Sequence, residues 1–286
     1  AKLVKQPFEV DAHIDSKELS ELVRTSVRML DNVIDISRFP LPEQQEEAHK
    51  KRRIGLGVTG LADALIMCGV RYGSSEAVDL TETWMKNLRD TAYRESTQLA
   101  KEKGAFQLFD AEAYMKGPNI ESLPKDIQED IKEFGIRNAL LTSIAPTGTI
   151  SLLADNVSSG VEPVFAFNYE RTVLRPDGSK SIEPVHDYAY QIYLNLKGDT
   201  KSLPGAFVNA HSLRPEDHLV MQSTVQKYID SSISKTINCP ENISFEDFEN
   251  IYQQAYDLGC KGCTTYRPNK ITGSVLSTNP DVSEKE

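Results

Sequence analysis

The sequence predicts an α/β fold, and three observations carry that prediction. Short β-branched, apolar runs at 139–144, 231–237 and 262–266 have the length and composition of buried strands. Between and before them lie longer stretches of helical periodicity, an alternation that favours parallel over antiparallel strands. With 286 residues, 39% hydrophobic and 26% charged, the chain is long enough and apolar enough to bury a sizeable core.

In chain order, 16–37 reads as a helix. Asp15 or Ser16 can cap it, and Leu19, Leu22, Val23, Val27, Leu30, Val33 and Ile34 share one face before Pro40 and Pro42 stop it. Glu43 to Arg53 is a charged stretch expected as a solvated face or surface loop. Gly55-Leu56-Gly57-Val58-Thr59-Gly60 spells GxGxxG, but a dinucleotide fingerprint needs an apolar strand before it, and Lys50-Lys51-Arg52-Arg53-Ile54 is none. The reading is a glycine-rich lead, packed closely, into a helix at about 59–69.

A long helix over 74–103 follows, with Leu80, Trp84, Leu88, Ala92, Ser96 and Leu99 as its core stripe and Gly104 as its end. Residues 105–123 read as irregular, and 124–134 as a short helix closed by Gly135. Val164 to Leu174 and Lys180 to Ile182 flank Pro176-Asp177-Gly178-Ser179, the signature of a hairpin. Helices are expected at 183–195, with a Tyr-rich face, at 214–228 and at 244–258. The last opens on the capping box Ser244-Phe245-Glu246-Asp247.

Composition narrows the function classes. A formal net charge of −10 disfavours a general nucleic-acid surface, while leaving room for a small anion held by backbone donors. No apolar run approaches a membrane span and no signal peptide opens the chain, so a cytoplasmic protein is expected. The start at Ala1 rather than Met suggests a fragment or a processed product. Four cysteines are too few for a disulfide scaffold.

The chemical candidates differ in weight. Cys260-Lys261-Gly262-Cys263 lacks the further ligands a zinc site needs, and it straddles a helix C-terminus, the wrong end to activate a thiol. Packing is the better account, and no metal site is expected. His211 and His218 are read as exposed loop histidines because Pro215 interrupts the stretch between them, and Asp247 and Glu249 as a water-facing pair. The richest stretch is Ile144-Ala145-Pro146-Thr147-Gly148-Thr149-Ile150-Ser151, where a buried strand from Asn138 feeds a Pro-Thr-Gly-Thr turn and a helix start. Bare N–H groups and two hydroxyls suit a phosphate. Local chemistry leaves this open beside a plain strand-to-helix connection capped by Thr149.

An ordered set of segments adds to this reading. Leu30-Asp31-Asn32-Val33-Ile34-Asp35, Arg53-Ile54-Gly55-Leu56-Gly57-Val58-Thr59-Gly60-Leu61-Ala62-Asp63, and Ala145-Pro146-Thr147-Gly148-Thr149-Ile150-Ser151 resemble the large-subunit ribonucleotide reductase family. So do Ser159-Gly160-Val161-Glu162-Pro163, Ser234-Lys235-Thr236-Ile237-Asn238 and Gly259-Cys260-Lys261-Gly262-Cys263-Thr264-Thr265-Tyr266-Arg267, all in the family's order. Within the family the wording resembles the adenosylcobalamin-dependent class. The oxygen-dependent class carries two adjacent tyrosines where this chain has Thr264 and Thr265.

The resemblance implies the C-terminal half of a ten-stranded α/β barrel over 1–273, with a polar tail at 274–286. It implies reduction of ribonucleoside di- or triphosphates to 2′-deoxyribonucleotides by a thiyl radical, with adenosylcobalamin in the complete enzyme. The finger-loop Cys, its Asn and Glu, and the redox cysteines are expected in a preceding N-terminal half, so no catalytic residue is assigned here; Cys68, Cys239, Cys260 and Cys263 do not take those places. What the resemblance places in this chain is the substrate phosphate loop, Pro146, Thr147, Gly148, Thr149 and Ile150. Expected partners are a ribonucleotide, the N-terminal half in the same or a separate chain, a second copy of the complete enzyme, and a thiol reductant such as thioredoxin, with neither nucleic acid nor membrane. The alternatives are a non-catalytic scaffold chain of the same family and a fragment of the oxygen-dependent class.

Overall fold

A computed structural model describes residues 1–198 and 202–268. The proposed tail at 274–286 lies outside the described residues. A two-residue ribbon opens the chain, β1 (Val4–Lys5) antiparallel to β2 (His13–Ile14). Helix α1 (Ser16–Ile36) starts where Asp15 accepts the Lys17 and Glu18 amides at 2.8 and 3.1 Å, and it buries Leu19, Val23, Val27 and Ile34. The charged stretch, expected as a solvated face or a surface loop, is a helix, α2 (Pro42–Lys51). Pro42 at its first turn and Glu–Lys pairs one turn apart stabilise it, and none of its residues is buried. It is a solvated face, as its composition indicated.

Helix α3 (Leu61–Met67) is buried throughout, and α4 (Ser75–Lys103), capped by Ser74, packs along α1. The segment expected to be irregular holds two short helices, α5 (Ala111–Met115) and α6 (Pro118–Glu121), before α7 (Lys125–Phe134). Helix α8 (Ile150–Leu153) is a single turn. The hairpin is present as β3 (Asn168–Leu174) antiparallel to β4 (Lys180–His186). β4 takes the residues expected to start the next helix, so α9 (Tyr188–Lys197) begins only after Asp187, whose carboxylate accepts the Tyr190 amide. Then come α10 (Pro215–Gln226), β5 (Thr236–Asn238), α11 (Phe245–Asp257) and β6 (Thr264–Tyr266).

The expected parallel order is present, in strands shorter than the apolar runs suggested. Leu56 bridges Thr142, Ile144 bridges Ile233, and β5 pairs with β6, all parallel. The four segments therefore lie side by side in the order in which the chain makes them. Among the described residues they form an open arc and no closed sheet. This mixed α/β arrangement bears out the fold class, while the count of ten strands is not visible in it.

The glycines of the GxGxxG stretch serve this arc. A Cβ on Gly57 would lie 2.0 Å from the Ser143 carbonyl oxygen, and one on Gly55 would lie 2.4 Å from the Ser143 hydroxyl. Two backbones meet there with no room for a side chain. Apolar side chains fill the space beneath the arc, from α3 and α10 on one side and from α1, α4 and α7 on the other. Buried carboxylates tie the layers together. Asp31 accepts Arg52 at 2.8 Å and Asn138 at 3.0 Å, and Asp230 accepts the Leu141 and Thr142 amides at 2.9 and 3.0 Å. Among the described residues no helix is long and apolar enough to cross a membrane.

Candidate functional site

The middle of the arc ends in the turn singled out by sequence. Ile144 is the last buried residue of its strand, and Ala145, Pro146, Gly148, Thr149 and Ile150 are exposed beyond it. Thr147 is half-buried with φ +53, a left-handed conformation that a β-branched residue adopts only when its surroundings hold it there. Those surroundings are visible. The Gly160 amide donates to the Thr147 hydroxyl at 2.8 Å, the buried Ser151 hydroxyl donates to the Thr147 carbonyl, and the Ser151 amide donates to the same carbonyl at 2.9 Å.

The structure divides the two threonines. Thr147 turns its hydroxyl inward, as a brace to Gly160. Thr149 sits at the start of α8 with no side-chain cap bond, so the plain-connection reading loses its capping residue. The amides of Gly148, Thr149 and Ile150 have no acceptor among the described residues, and all three residues are exposed. Successive free N–H groups on a held turn have the chemistry that can attract an anion. A four-residue helix adds little dipole, so the donors themselves carry the attraction. Space above the turn is open, because a Cβ on Gly148 would meet nothing within 4 Å. Ile150 and Leu153, 59% and 88% exposed, form an apolar lip beside it.

A second layer lies behind the turn. Gly160, at φ +51, would bring a Cβ to 3.0 Å from the Ala145 carbonyl oxygen, so glycine is required for the brace. Two residues on, Glu162 accepts the Thr236 amide with one oxygen and the buried Lys235 ammonium with the other, at 3.0 Å. Lys235 also donates to the Thr236 carbonyl at 2.9 Å and meets His218 Nδ1 at 2.8 Å. His218 is therefore not the exposed loop histidine expected from Pro215. Pro215 is the first residue of α10 rather than a break in it, and His218 is wholly buried on that helix. Burial, with the Lys235 charge beside it, lowers its pKa to about 3. His211 is exposed, as expected.

Sequence reasoning quoted Glu162 and Lys235 only within family segments and gave them no task. The available signal was a lysine at the inward position between Ile233 and Ile237, in an alternation whose neighbouring inward residues are apolar and buried.

The cysteines are poor nucleophiles. Burial raises the Cys68 and Cys260 thiols to about 11 and pushes Cys239 and Cys263 upward as well. All four are free, and Cys260 and Cys263 pack against the small cluster under α11. Among the described residues no group of three His, Cys, Asp or Glu side chains is placed to hold a metal. Ser244 caps α11 by accepting the Asp247 amide at 3.0 Å and donates to the Asp247 carboxylate at 2.7 Å, and Asp247 and Glu249 are both exposed.

Comparison with known proteins shows the family. The chain is 36% identical to a vitamin B12-dependent ribonucleoside-diphosphate reductase of Mycobacterium tuberculosis (strain CDC 1551 / Oshkosh), over 94% of this chain and 39% of that protein. It is 35% identical to the protein of the same name from Thermoplasma acidophilum, over 95% of this chain and 35% of that one. A ribonucleoside-diphosphate reductase subunit alpha from Chlamydia pneumoniae is 26% identical over 95% of this chain and 30% of its own length. The chain thus spans 30–39% of the length of these relatives. The family model described as "Ribonucleotide reductase, barrel domain" matches residues 1–266, and the chain belongs to that family.

Proposed function

We propose that this chain is the C-terminal part of the catalytic barrel of a vitamin B12-dependent ribonucleotide reductase, and that its 146–150 turn binds the substrate's phosphates. The observation that carries the phosphate assignment is the set of amides at the exposed residues Gly148, Thr149 and Ile150, without an acceptor among the described residues, on a turn fixed by Thr147 and Ser151. Pro146 sets the approach to the turn, Thr147 braces it, and Thr149 leaves its hydroxyl free beside the donors. Binding there anchors a ribonucleoside di- or triphosphate by its charged end and leaves the ribose for groups elsewhere.

Residues 1–273 are read as one barrel domain, the C-terminal half of ten strands. The parallel arc in chain order supports this, and so does the partial coverage of the relatives. The remaining strands, the thiyl Cys with its Asn and Glu, and the redox cysteines belong to the N-terminal half. The raised thiol pKa values here accord with that division. In the complete enzyme adenosylcobalamin supplies the radical. The apolar cavity of about 340 Å³ beside α1 is lined mainly by side chains such as Leu22, Val23, Trp84 and Leu88, with few polar groups to meet a corrin's amides, so it is not assigned to the cofactor. No step is therefore assigned to this chain through the cofactor. A dimer of the complete enzyme, a thioredoxin-like reductant and a cytoplasmic setting complete the proposal.

Three relatives named vitamin B12-dependent ribonucleoside-diphosphate reductase match at 35–36%, four subunit alpha relatives at 26–29% and a further B12-named reductase at 24%; the three highest identities favour the cobalamin class over the oxygen-dependent one. Thr264 and Thr265 in β6 point the same way. The test is to combine the chain with its N-terminal half, adenosylcobalamin, a dithiol and a ribonucleotide. Deoxyribonucleotide formation is expected. A folded mixture that makes none, while the chain still binds the nucleotide, favours the scaffold alternative.

A further inference from the structure

We propose that Lys235 is a positioning residue for the phosphate turn, acting through Glu162 to fix the wall against which the turn is braced. This rests on the phosphate reading of residues 146–150. The contacts form a closed circuit. The turn leaves its strand at Ile144, which bridges Ile233 and accepts the Ser234 amide at 3.2 Å. The next residue, Lys235, binds Glu162 at 3.0 Å. Two residues before Glu162, the Gly160 amide returns to the Thr147 hydroxyl at 2.8 Å. Both flanks of the turn are thus referred to one three-residue piece of chain, 233–235.

The chemistry of Lys235 suits a fixed role. Its three partners, the Glu162 carboxylate, the Thr236 carbonyl and His218 Nδ1, match the three protons of an ammonium group. His218 Nδ1 then accepts, which places the imidazole proton on Nε2. Glu162 is held from a second direction by the Thr236 amide, so it has little freedom to rotate. A buried cation is costly, and an apolar side chain of similar volume would serve packing as well or better. What the pair supplies and a methionine would not is a directional tie between 159–163 and 233–236.

The side chain of Lys235 is buried, so it cannot touch a ligand. Its effect must pass through the turn's geometry. A different buried pair, Arg52 with Asp31 at 2.8 Å, ties other elements and serves as the control.

The experiment uses the full chain, with amide hydrogen exchange and a titration with pyrophosphate followed at the Gly148, Thr149 and Ile150 amides. In Lys235→Met, Gly160 exchange is expected to accelerate, and pyrophosphate binding to weaken, each by about tenfold, the equivalent of one hydrogen bond. The Leu141 and Thr142 amides, held by Asp230, should be unchanged. Arg52→Met should leave both Gly160 exchange and binding as in the parent. Glu162→Gln should act as Lys235→Met does, and the double variant should lose no more than the larger single effect.

Equal effects of Arg52→Met and Lys235→Met at Gly160 would overturn the proposal, since general loosening would then explain both. Unchanged Gly160 exchange in a folded Glu162→Gln chain would overturn it too, even if Lys235→Met fails to fold. If the parent chain does not bind pyrophosphate at these amides, the phosphate reading fails. Gly160 exchange then still decides whether Lys235 fixes the turn.

Discussion

Gly160 donates its amide to the hydroxyl of Thr147 at 2.8 Å, joining the far side of an exposed turn to a segment thirteen residues on. The bond holds Thr147 at φ +53, and the next three residues are exposed. Thr147→Val keeps the β-branched shape and its backbone penalty but removes the acceptor. It should cost about 1–2 kcal/mol in urea unfolding, and Thr147→Ser should recover most of that. Equal stability of the Val and Ser variants would show that the hydroxyl braces nothing.

Gly148→Val tests the proposed anion seat from above. A Cβ there meets nothing within 4 Å, so the melting temperature should stay close to the parent's. The added side chain would crowd the space a phosphate needs. Nucleotide affinity in the assembled enzyme should fall about tenfold or more, near 1.4 kcal/mol. An unchanged affinity would remove Gly148 from the site.

Gly57→Ala should behave in the opposite way. Its Cβ would collide with the Ser143 carbonyl oxygen at 2.0 Å, and that atom is backbone in a paired strand. A loss of about 3 kcal/mol or more, or failure to fold, is expected from circular dichroism and thermal melting. Retention of full stability would mean that the strand pair at Leu56 and Thr142 is looser than described.

Asp230→Asn places an amide N–H, or one fewer acceptor, opposite the Leu141 and Thr142 amides, the Tyr93 hydroxyl and the Asn119 amide. The expected cost is about 2–4 kcal/mol, since buried donors are left without a full partner. Chemical denaturation of the two proteins at one pH measures it.

His218 predicts a pH dependence. Burial, with Lys235 close by, holds its pKa near 3, below the ordinary value of 6.5. Between those values the unfolded chain binds the extra proton, so stability falls as the pH drops through that window. The slope from this one group approaches about 1.4 kcal/mol per pH unit. In His218→Gln that contribution is gone. Unfolding free energies of the two proteins should therefore converge between pH 6.5 and 4, and curves that stay parallel would contradict the buried neutral imidazole.

These residues show what the sequence could convey. Helices α1, α4, α7 and α11 were legible because capping residues and a one-sided apolar stripe are local properties. The charged α2 carried no stripe, so its solvated face was legible but its helical conformation was not, since its stability comes from Pro42 and ion pairs one turn apart. His218 was misread because one proline can either break a helix or begin it, and only tertiary packing decides. The exposed turn at 146–149 was legible as Pro-Thr-Gly-Thr, whereas Glu162 and Lys235 lie 73 residues apart and meet only in the folded chain.

The order of the parallel arc also has a kinetic consequence. Leu56 meets Thr142, and Ile144 meets Ile233, partners more than eighty residues apart, while β3 and β4 are near neighbours. The hairpin can close within about 1–10 μs. The arc must wait for long loops to be drawn in, which places this chain among slow folders. Until the last strand docks, its forerunners stand with bare edges open to other molecules. Refolding yield should therefore fall as protein concentration rises, long before the native state itself loses stability.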